Sequence, residues 1–254
     1  MIEQDPTKRF SIRAQDYVKY RPTYPTAVLD CLITEYGLTE TAVIADIGSG
    51  TGLLSQLFLD NGNPVYGVEP NKEMRETGEG YLVEYENFHS INGRSEATTL
   101  PNNFADFITA GQALHWFQAE PTIAEFRRVI KANGVFAFVW NSRDDSQSPF
   151  MADLDGVLAH YYEEPLSSEK VDIHAEVEAF VGQPMQQYLF ANEQLLGFEG
   201  FRGRWLSSSP SPPPGHPNHE PFVAALRTLF DKYEENGRVR LIYQTELYVT
   251  AVQK

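Results

Sequence analysis

Three glycines alternate with small polar residues in Gly48-Ser-Gly-Thr-Gly52, and Asp46 stands two positions before the first of them. The apolar run at 43–47 is typical of a buried strand, whereas residues 53–59 carry apolar side chains at helical spacing. Glycine permits positive φ and close approach of a ligand to the main chain, and the first N–H groups of a helix stay free to donate. The spacing therefore predicts a ligand-binding turn between a strand and a helix.

The same spacing argues against a bound phosphate chain. Leu53 stands where the dinucleotide fingerprint has its third glycine, and no lysine follows Gly52 as the phosphate loop requires. A second apolar run, at 64–68, ends in Glu69. Because a carboxylate at the end of a second strand can accept hydrogen bonds from both ribose hydroxyls, the pattern favours a nucleoside site without a pyrophosphate group.

The stretch 46–52, together with Val68-Glu-Pro-Asn71, resembles the cofactor site of class I S-adenosylmethionine-dependent methyltransferases. Tyr20-Arg-Pro near the amino terminus, Gly111-Gln-Ala-Leu-His-Trp-Phe and Trp140-Asn resemble a subgroup of small-molecule methyltransferases that includes trans-aconitate methyltransferase-like proteins. The resemblance implies S-adenosyl-L-methionine as cofactor, a small-molecule acceptor and no metal. A carboxylic acid is one candidate acceptor.

The resemblance also implies which residues contact the cofactor. Arg21 is expected to pair with the methionine carboxylate, and Glu69 to bind the ribose. The family often has an aspartate where this chain has Arg94, so Ser95, Glu96 or backbone groups are expected to read the adenine. The expected cofactor-binding residues are Tyr20, Arg21, Asp46, Gly48, Ser49, Gly50, Gly52, Glu69, Pro70, Asn71, Met74, Ser95, Glu96, Gly111 and Gln112.

The acceptor side is expected to comprise Tyr17, Tyr24, His115, Trp116, Arg202 and Arg204. We expect His115 where the transferred methyl emerges, as a positioning group or a general base, although a His-Trp-Phe cluster can also simply pack a loop. Arg202 and Arg204 are candidates to neutralise a carboxylate acceptor; the alternative is two surface arginines. A carboxylate acceptor needs no base, because carboxyl groups have pKa values of about 4.

Strands are predicted at 42–47, 64–69, 86–91, 105–110 and 134–140, with helices at 26–36 and near 51–61, 71–81 and 118–131. This alternation predicts an α/β fold: a doubly wound, mostly parallel sheet with helices on both faces. Beyond residue 141 we expect a helix near 150–162, a strand at 186–191, a short helix at 192–198, a helix near 219–235 and an antiparallel terminal strand at 240–252. The resemblance implies the seven-stranded, Rossmann-like methyltransferase fold.

The chain is expected to form one domain over residues 1–254. Its core would cover about 26–141 and 186–254, an amino-terminal cap would cover 1–25, and a helical insertion or lid would cover about 143–185. The Ser/Pro-rich stretch at 207–217 is expected to be a stiff surface loop rather than a flexible linker.

Composition narrows the partners. The formal net charge of −15 opposes approach to nucleic acid. No apolar run is long enough to span a membrane and the first residues lack a secretory pattern, so we expect a soluble, cytoplasmic protein. The single cysteine, Cys31, cannot form an internal disulfide and is expected to be a small core residue.

Two other functions remain open from the sequence. One is a regulator or scaffold that binds the cofactor without transferring its methyl group. The other is a nicotinamide-dependent oxidoreductase, which Leu53 disfavours. The sequence leaves the oligomeric state open.

Overall fold

Seven strands form one sheet in the computed structural model, which describes residues 14–143, 146–162, 172–208 and 210–252. Their order is β3-β2-β1-β4-β5-β7-β6. Strand β7 runs opposite to the other six strands, so it pairs antiparallel with both β5 and β6. The strands are β1 Ile44–Ile47, β2 Val65–Val68, β3 Phe88–Ile91, β4 Ala105–Gly111, β5 Ile130–Arg143, β6 Gln186–Leu196 and β7 Val239–Ala251.

Helices cover both faces of this sheet. They are α1 Ala14–Tyr20, α2 Thr26–Tyr36, α3 Leu53–Asp60, α4 Lys72–Tyr81, α5 Ala119–Val129, α6 Pro149–Tyr161, α7 Ile173–Val181, α8 Phe198–Leu206 and α9 His219–Tyr233, with a short 3₁₀ turn at Leu114–Trp116. Local sequence sets several of their ends. Gly37 ends α2 in the left-handed conformation, and the side chains of Asn71 and Ser148 cap the first turns of α4 and α6.

Strand β5 shows how the sheet is buried on both sides. Phe136 and Phe138 point into a core shared with α5 and α7. Val135 and Val139 alternate with them and point into a second core, shared with α2 and α3. Such a strand, apolar on both faces, is typical of a parallel sheet enclosed by helices. The predicted fold class is therefore confirmed.

A third core lies beyond the sheet's two main faces. It joins α6, α8 and α9 to Leu241 and Tyr243 of β7. Helix α7, in contrast, packs with α5 against the sheet. The expected insertion at about 143–185 therefore does not pack as one unit, because its two described helices belong to different cores. Residues 163–171 of that segment lie outside the described residues.

Most predicted elements agree with the structure, and one is wrong. The helix predicted at 26–36 has those bounds. The short helix predicted at 192–198 does not form, because Asn192 through Leu196 pair in register with β7 and extend β6, and α8 begins only at Phe198. Cys31 is half-buried on α2. Among the described segments, none of the helices has the length and apolar character needed to cross a membrane.

Candidate functional site

The glycine turn leaves β1 and folds back under the end of β2. The Gly48 N–H donates to the Val68 carbonyl at 2.8 Å. Gly50 has φ +56°, and a Cβ there would lie 3.3 Å from Met74 Cε. Gly52 has φ +84°, and a Cβ there would lie 2.5 Å from Leu82 Cδ1. Both positions therefore favour glycine for their backbone conformation, and Gly52 also for lack of space.

Glu69 ties the end of β2 to this turn. Its Oε2 accepts a hydrogen bond from the Gly50 N–H at 2.9 Å, and its Oε1 accepts one from the Asn71 N–H at 2.8 Å. The residue is only 9% exposed. Burial raises the pKa of Glu69, and the two backbone hydrogen bonds oppose that rise. The carboxylate is thus fixed at the carboxyl edge of the sheet, where the strand order reverses and ligands bind in open α/β folds.

Asp46 lies beneath the turn and is fully buried. Its Oδ2 accepts from Ser55 Oγ at 2.6 Å, and its Oδ1 accepts from Thr109 Oγ1 at 3.1 Å. Burial raises the pKa of Asp46 to about 6, although both hydroxyls favour the charged form. The carboxyl group therefore joins the first turn of α3 to β4. No short-range pattern in the sequence reveals Ser55 and Thr109 as its partners.

A continuous cleft crosses the glycine turn and consists of two adjoining pockets. Both are lined by Tyr17, Gly48, Gly50, Gly111 and Gln112. The Glu69 pocket has a volume of about 1060 Å³ and the Arg21 pocket one of about 550 Å³, and both volumes include space open to solvent. The first is further lined by Glu69, Pro70, Met74, Ser95, Trp116 and Phe117, and the second by Arg21, Tyr24, Asp46, Ser49, Asn141 and Arg204.

Arg94 and Glu96 meet at one wall of the Glu69 pocket. Arg94 Nε donates to Glu96 Oε1 at 2.5 Å. Desolvation acts to raise the pKa of Glu96, but the hydrogen bonds from Arg94, the backbone and Ser95, together with the charge of Arg94, hold that pKa below its usual value. Ser95, between them, is buried and its Oγ shares a hydrogen bond with Thr122 Oγ1 at 2.9 Å. The wall is therefore built from an ion pair beside a buried serine.

Two arginines face the Arg21 pocket from distant parts of the chain. Arg21 Nε is buried and has no hydrogen-bond partner among the described residues. Burial, and then the charge of Arg204, lower the pKa of Arg21 to about 10. Arg204 is 7% exposed and donates from Nε to Tyr243 Oη at 3.2 Å. Arg21 therefore remains protonated near pH 7, and with Arg204 it makes this end of the cleft an anion-binding environment.

Part of this cleft lies in a segment that matches a known protein family. Residues 45–138, from β1 into β5, match the family model of a methyltransferase domain. This central part of the chain is therefore similar to a methyltransferase domain. The glycine turn and Glu69 lie inside the matched residues, whereas Arg21 and Arg204 lie outside them on either side.

Curated relatives match this chain over part of its length. A methyltransferase-like protein of Schizosaccharomyces pombe is 30% identical over 162 residues, which are 63% of this chain and 62% of that protein. A Mycobacterium tuberculosis protein named as a methyltransferase is 29% identical over 142 residues, or 56% of each chain. The chain thus spans less than two thirds of the length of these relatives.

Solved structures share the fold of most of this chain. One from Anaeromyxobacter dehalogenans, described as a type II methyltransferase, superposes with a TM-score of 0.67 at 22% identity and covers 91% of this chain and 98% of its own. A SAM-dependent methyltransferase from Aquifex aeolicus gives a TM-score of 0.54 at 14% identity and covers 98% and 100%. At these identities the likeness concerns the fold alone.

His115 does not line the cleft, although we expected it beside the transferred methyl group. The 3₁₀ turn directs Ala113 and Phe117 toward the glycine turn, whereas His115 is exposed and lines a separate depression beside Phe180 of α7. Desolvation by the surrounding protein lowers the pKa of His115 even though the ring reaches solvent. The lining of the cleft therefore gives no support to the expected role of His115 as a positioning group or general base.

Four other predicted residues also lie outside the cleft lining. Tyr20 packs its ring against Gly203, where a Cβ would come within 2.3 Å of it. Arg202 points to solvent and pairs with Glu199 at 2.8 Å. Asn71 caps α4, and Gly52 supports the turn from below. These residues support the fold or lie on its surface, and they do not line either pocket.

Asn141 is a cleft residue that the sequence did not single out for a role. Its backbone carbonyl accepts from Gln112 Nε2 at 3.0 Å, and its Oδ1 accepts from Thr245 Oγ1 at 2.5 Å and from Asn192 Nδ2 at 3.0 Å. Gln112 has φ +55°, which is uncommon without glycine. The partners of Asn141 are 51 and 104 positions away in the chain, so only the folded sheet brings them together.

Proposed function

We propose that this chain transfers a methyl group from S-adenosylmethionine to a small acceptor that carries a carboxylate. One observation supports this most directly. The glycine turn with Glu69 and the pair Arg21 and Arg204 line opposite ends of one continuous cleft. A nucleoside end and an anion end are what such a cofactor and such an acceptor require.

The residues of the cleft fit S-adenosylmethionine. Glu69 presents a carboxylate to a ribose, and Met74, Trp116 and Phe117 offer apolar walls for an adenine. Arg21 supplies a buried donor, Nε, that no described protein group uses, and it suits the methionine carboxylate. When bound, this cofactor supplies a methyl group activated by the neighbouring sulfonium.

The protein's own contribution is to bind, to orient and to exclude water. Arg204 would hold the acceptor's carboxylate in the Arg21 pocket, which Tyr24 also lines, while Tyr17 lines both pockets. Fixing two reactants in this way can lower a barrier by about 7–11 kcal/mol through lost translational and rotational freedom. No proton transfer is needed for this contribution.

A carboxylate acceptor also agrees with the placement of His115. Among the residues that the structure describes, no histidine lines either pocket. Asp46 already accepts hydrogen bonds from Ser55 and Thr109. An alcohol or a protonated amine would need a base in the cleft, whereas a carboxylate is ionised near pH 7 because its pKa is about 4. The net charge of −15 further favours a small acceptor over nucleic acid.

The test is a transfer assay with methyl-labelled cofactor. The purified chain is incubated with a panel of carboxylic acids and with the matched neutral amides. We expect label only with the acids, in a product that mild base hydrolyses as a methyl ester, together with an equal amount of S-adenosylhomocysteine. Base-stable label would overturn the carboxylate assignment. Cofactor binding without turnover on the panel or on metabolite extracts would favour the cofactor-binding regulator instead.

A further inference from the structure

The Arg21 pocket is covered by a short segment that carries few backbone hydrogen bonds of its own. This segment, residues 20–25 (Tyr-Arg-Pro-Thr-Tyr-Pro), joins α1 to α2 and is called the strap here. Arg21, Pro22 and Tyr24 line the pocket from the strap. Its two prolines restrict its conformation and remove two N–H donors. The strap must therefore be held in place largely by contacts from other elements.

Two side-chain amides of β6 bind carbonyl groups of the strap. Asn192 Nδ2 donates to the Thr23 carbonyl at 2.9 Å, and Gln194 Nε2 donates to the Tyr20 carbonyl at 3.2 Å. Residues two apart on a strand point to the same face, so both amides project from one side of the sheet edge. The spacing of two on β6 matches the two carbonyls on either side of Arg21 and Pro22.

Each side chain also has a second partner outside the strap, which Asn192 binds through the same Nδ2 and Gln194 through its Oε1. Asn192 Nδ2 reaches Asn141 Oδ1 at 3.0 Å. Gln194 Oε1 accepts from Tyr243 Oη at 3.2 Å, and that hydroxyl accepts from Arg204 Nε. The pair therefore connects the strap to both Asn141 and Arg204. We call Asn192 and Gln194 the strap clamp.

We propose that the strap clamp positions Arg21 and Tyr24 over the Arg21 pocket, so that Asn192 and Gln194 set the affinity for the methionine half of the cofactor without touching it. The identity of that ligand rests on the proposed function. Strand β6 lies outside the residues matched by the methyltransferase family model, so the clamp is an addition to the shared domain.

The geometry makes the effect selective for one half of the ligand. Residues 20–25 contribute to the lining of the Arg21 pocket and do not appear in that of the Glu69 pocket. Weakening the clamp should therefore reduce affinity for a ligand that carries the methionine part and leave affinity for adenosine alone unchanged. A general loss of structure would instead weaken both ligands.

The test compares an Asn192→Ala/Gln194→Ala double variant with wild type by calorimetric titration of S-adenosylhomocysteine and of adenosine. We expect the dissociation constant for S-adenosylhomocysteine to rise about tenfold or more and its dissociation rate to increase, with the adenosine constant within about twofold of wild type. Asn192→Asp keeps the shape but lacks the donor, and should reproduce the Asn192→Ala effect. Leu195→Ala, on the opposite, exposed face of the same strand, is the matched control.

Unchanged S-adenosylhomocysteine affinity, or equal weakening of both ligands, would overturn the clamp. If the double variant does not fold by circular dichroism, the single variants Asn192→Asp and Gln194→Glu carry the comparison. If wild type binds no S-adenosylhomocysteine, the proposed function fails, and hydrogen exchange of the strap amides without ligand still decides the clamp. Faster exchange in the double variant than in wild type supports the clamp, and equal exchange rejects it.

Discussion

The carboxylate of Glu69 accepts a hydrogen bond from the backbone N–H of Gly50, 19 positions earlier in the chain, at 2.9 Å. Glu69, the first residue after β2, and Gly50, the middle glycine of the turn after β1, therefore form one rigid unit. Because the second oxygen is held by the Asn71 N–H, the orientation of the carboxylate is fixed before a ligand arrives. Preorganisation of this kind lowers the cost of binding.

Glu69→Gln should weaken S-adenosylhomocysteine binding by about 1.5–3 kcal/mol, or roughly 10- to 100-fold in the dissociation constant, because a charged acceptor is lost while the shape is kept. Calorimetric titration measures it. Glu76→Gln, an exposed position on α4 that pairs with Lys72, is the control and should bind like wild type. An unaltered affinity in Glu69→Gln would remove this carboxylate from the site.

Gly111→Ala should reduce cofactor affinity with little change in the fold. A Cβ at position 111 would lie 2.5 Å from Tyr24 Oη, so the tyrosine must leave its place over the cleft. Gly80→Ala is the control, because a Cβ there meets no atom within 4 Å. That control should raise the free energy of unfolding by up to about 1 kcal/mol and leave affinity unchanged. Equal affinities in the two variants would contradict the role of Tyr24.

Arg204→Gln should raise the KM for a carboxylate acceptor by about tenfold or more, since a hydrogen bond to a charged group contributes about 1.5–3 kcal/mol. The affinity for S-adenosylhomocysteine should change much less. Arg202→Gln, two residues earlier on α8 and paired with Glu199 at the surface, is the matched control. Steady-state kinetics on the best acid of the panel measures both, and a parallel effect of the two substitutions would exclude Arg204 from acceptor binding.

Asp46 should make the protein less stable as pH rises. Its pKa is raised from 3.8 to about 6 in the folded state, so its contribution is most favourable below about pH 4 and is lost as pH rises through about 6. At 1.36 kcal/mol per pKa unit the full change is roughly 3 kcal/mol, of which about 2 kcal/mol is lost between pH 4.5 and pH 7. Urea unfolding of wild type and Asp46→Asn at pH 4.5 and 7 measures it. The free energy of unfolding of wild type minus that of the variant should decrease from pH 4.5 to pH 7. A difference that stays constant would refute the assignment.

The glycine turn, Glu69 and the alternation of strands and helices could be predicted because their signals are local. A turn that needs positive φ at Gly50 leaves its mark in a few adjacent residues, and Gly37 ends α2 for the same reason. A doubly wound, mostly parallel sheet then follows from general rules of α/β connections.

Other features could not be predicted because distant residues decide them. Asn192-Glu-Gln has no strong strand propensity, and it becomes strand only because β7 offers a partner along its whole length. The direction of His115 depends on a single 3₁₀ turn, after which His115 and Trp116 line different depressions. The meeting of Arg21 with Arg204 requires the amino-terminal segment and α8 to pack together.

The antiparallel pairing of β5 with β7 sets a limit on how small a working piece of this protein can be. The family match stops at residue 138, within β5. Phe136 and Phe138 of this strand pair with Thr250 and Tyr248 of β7. A fragment cut at that boundary would leave an aromatic strand with an open row of amides and carbonyls. Such an edge recruits other chains, so we expect the excised fragment to aggregate instead of folding alone.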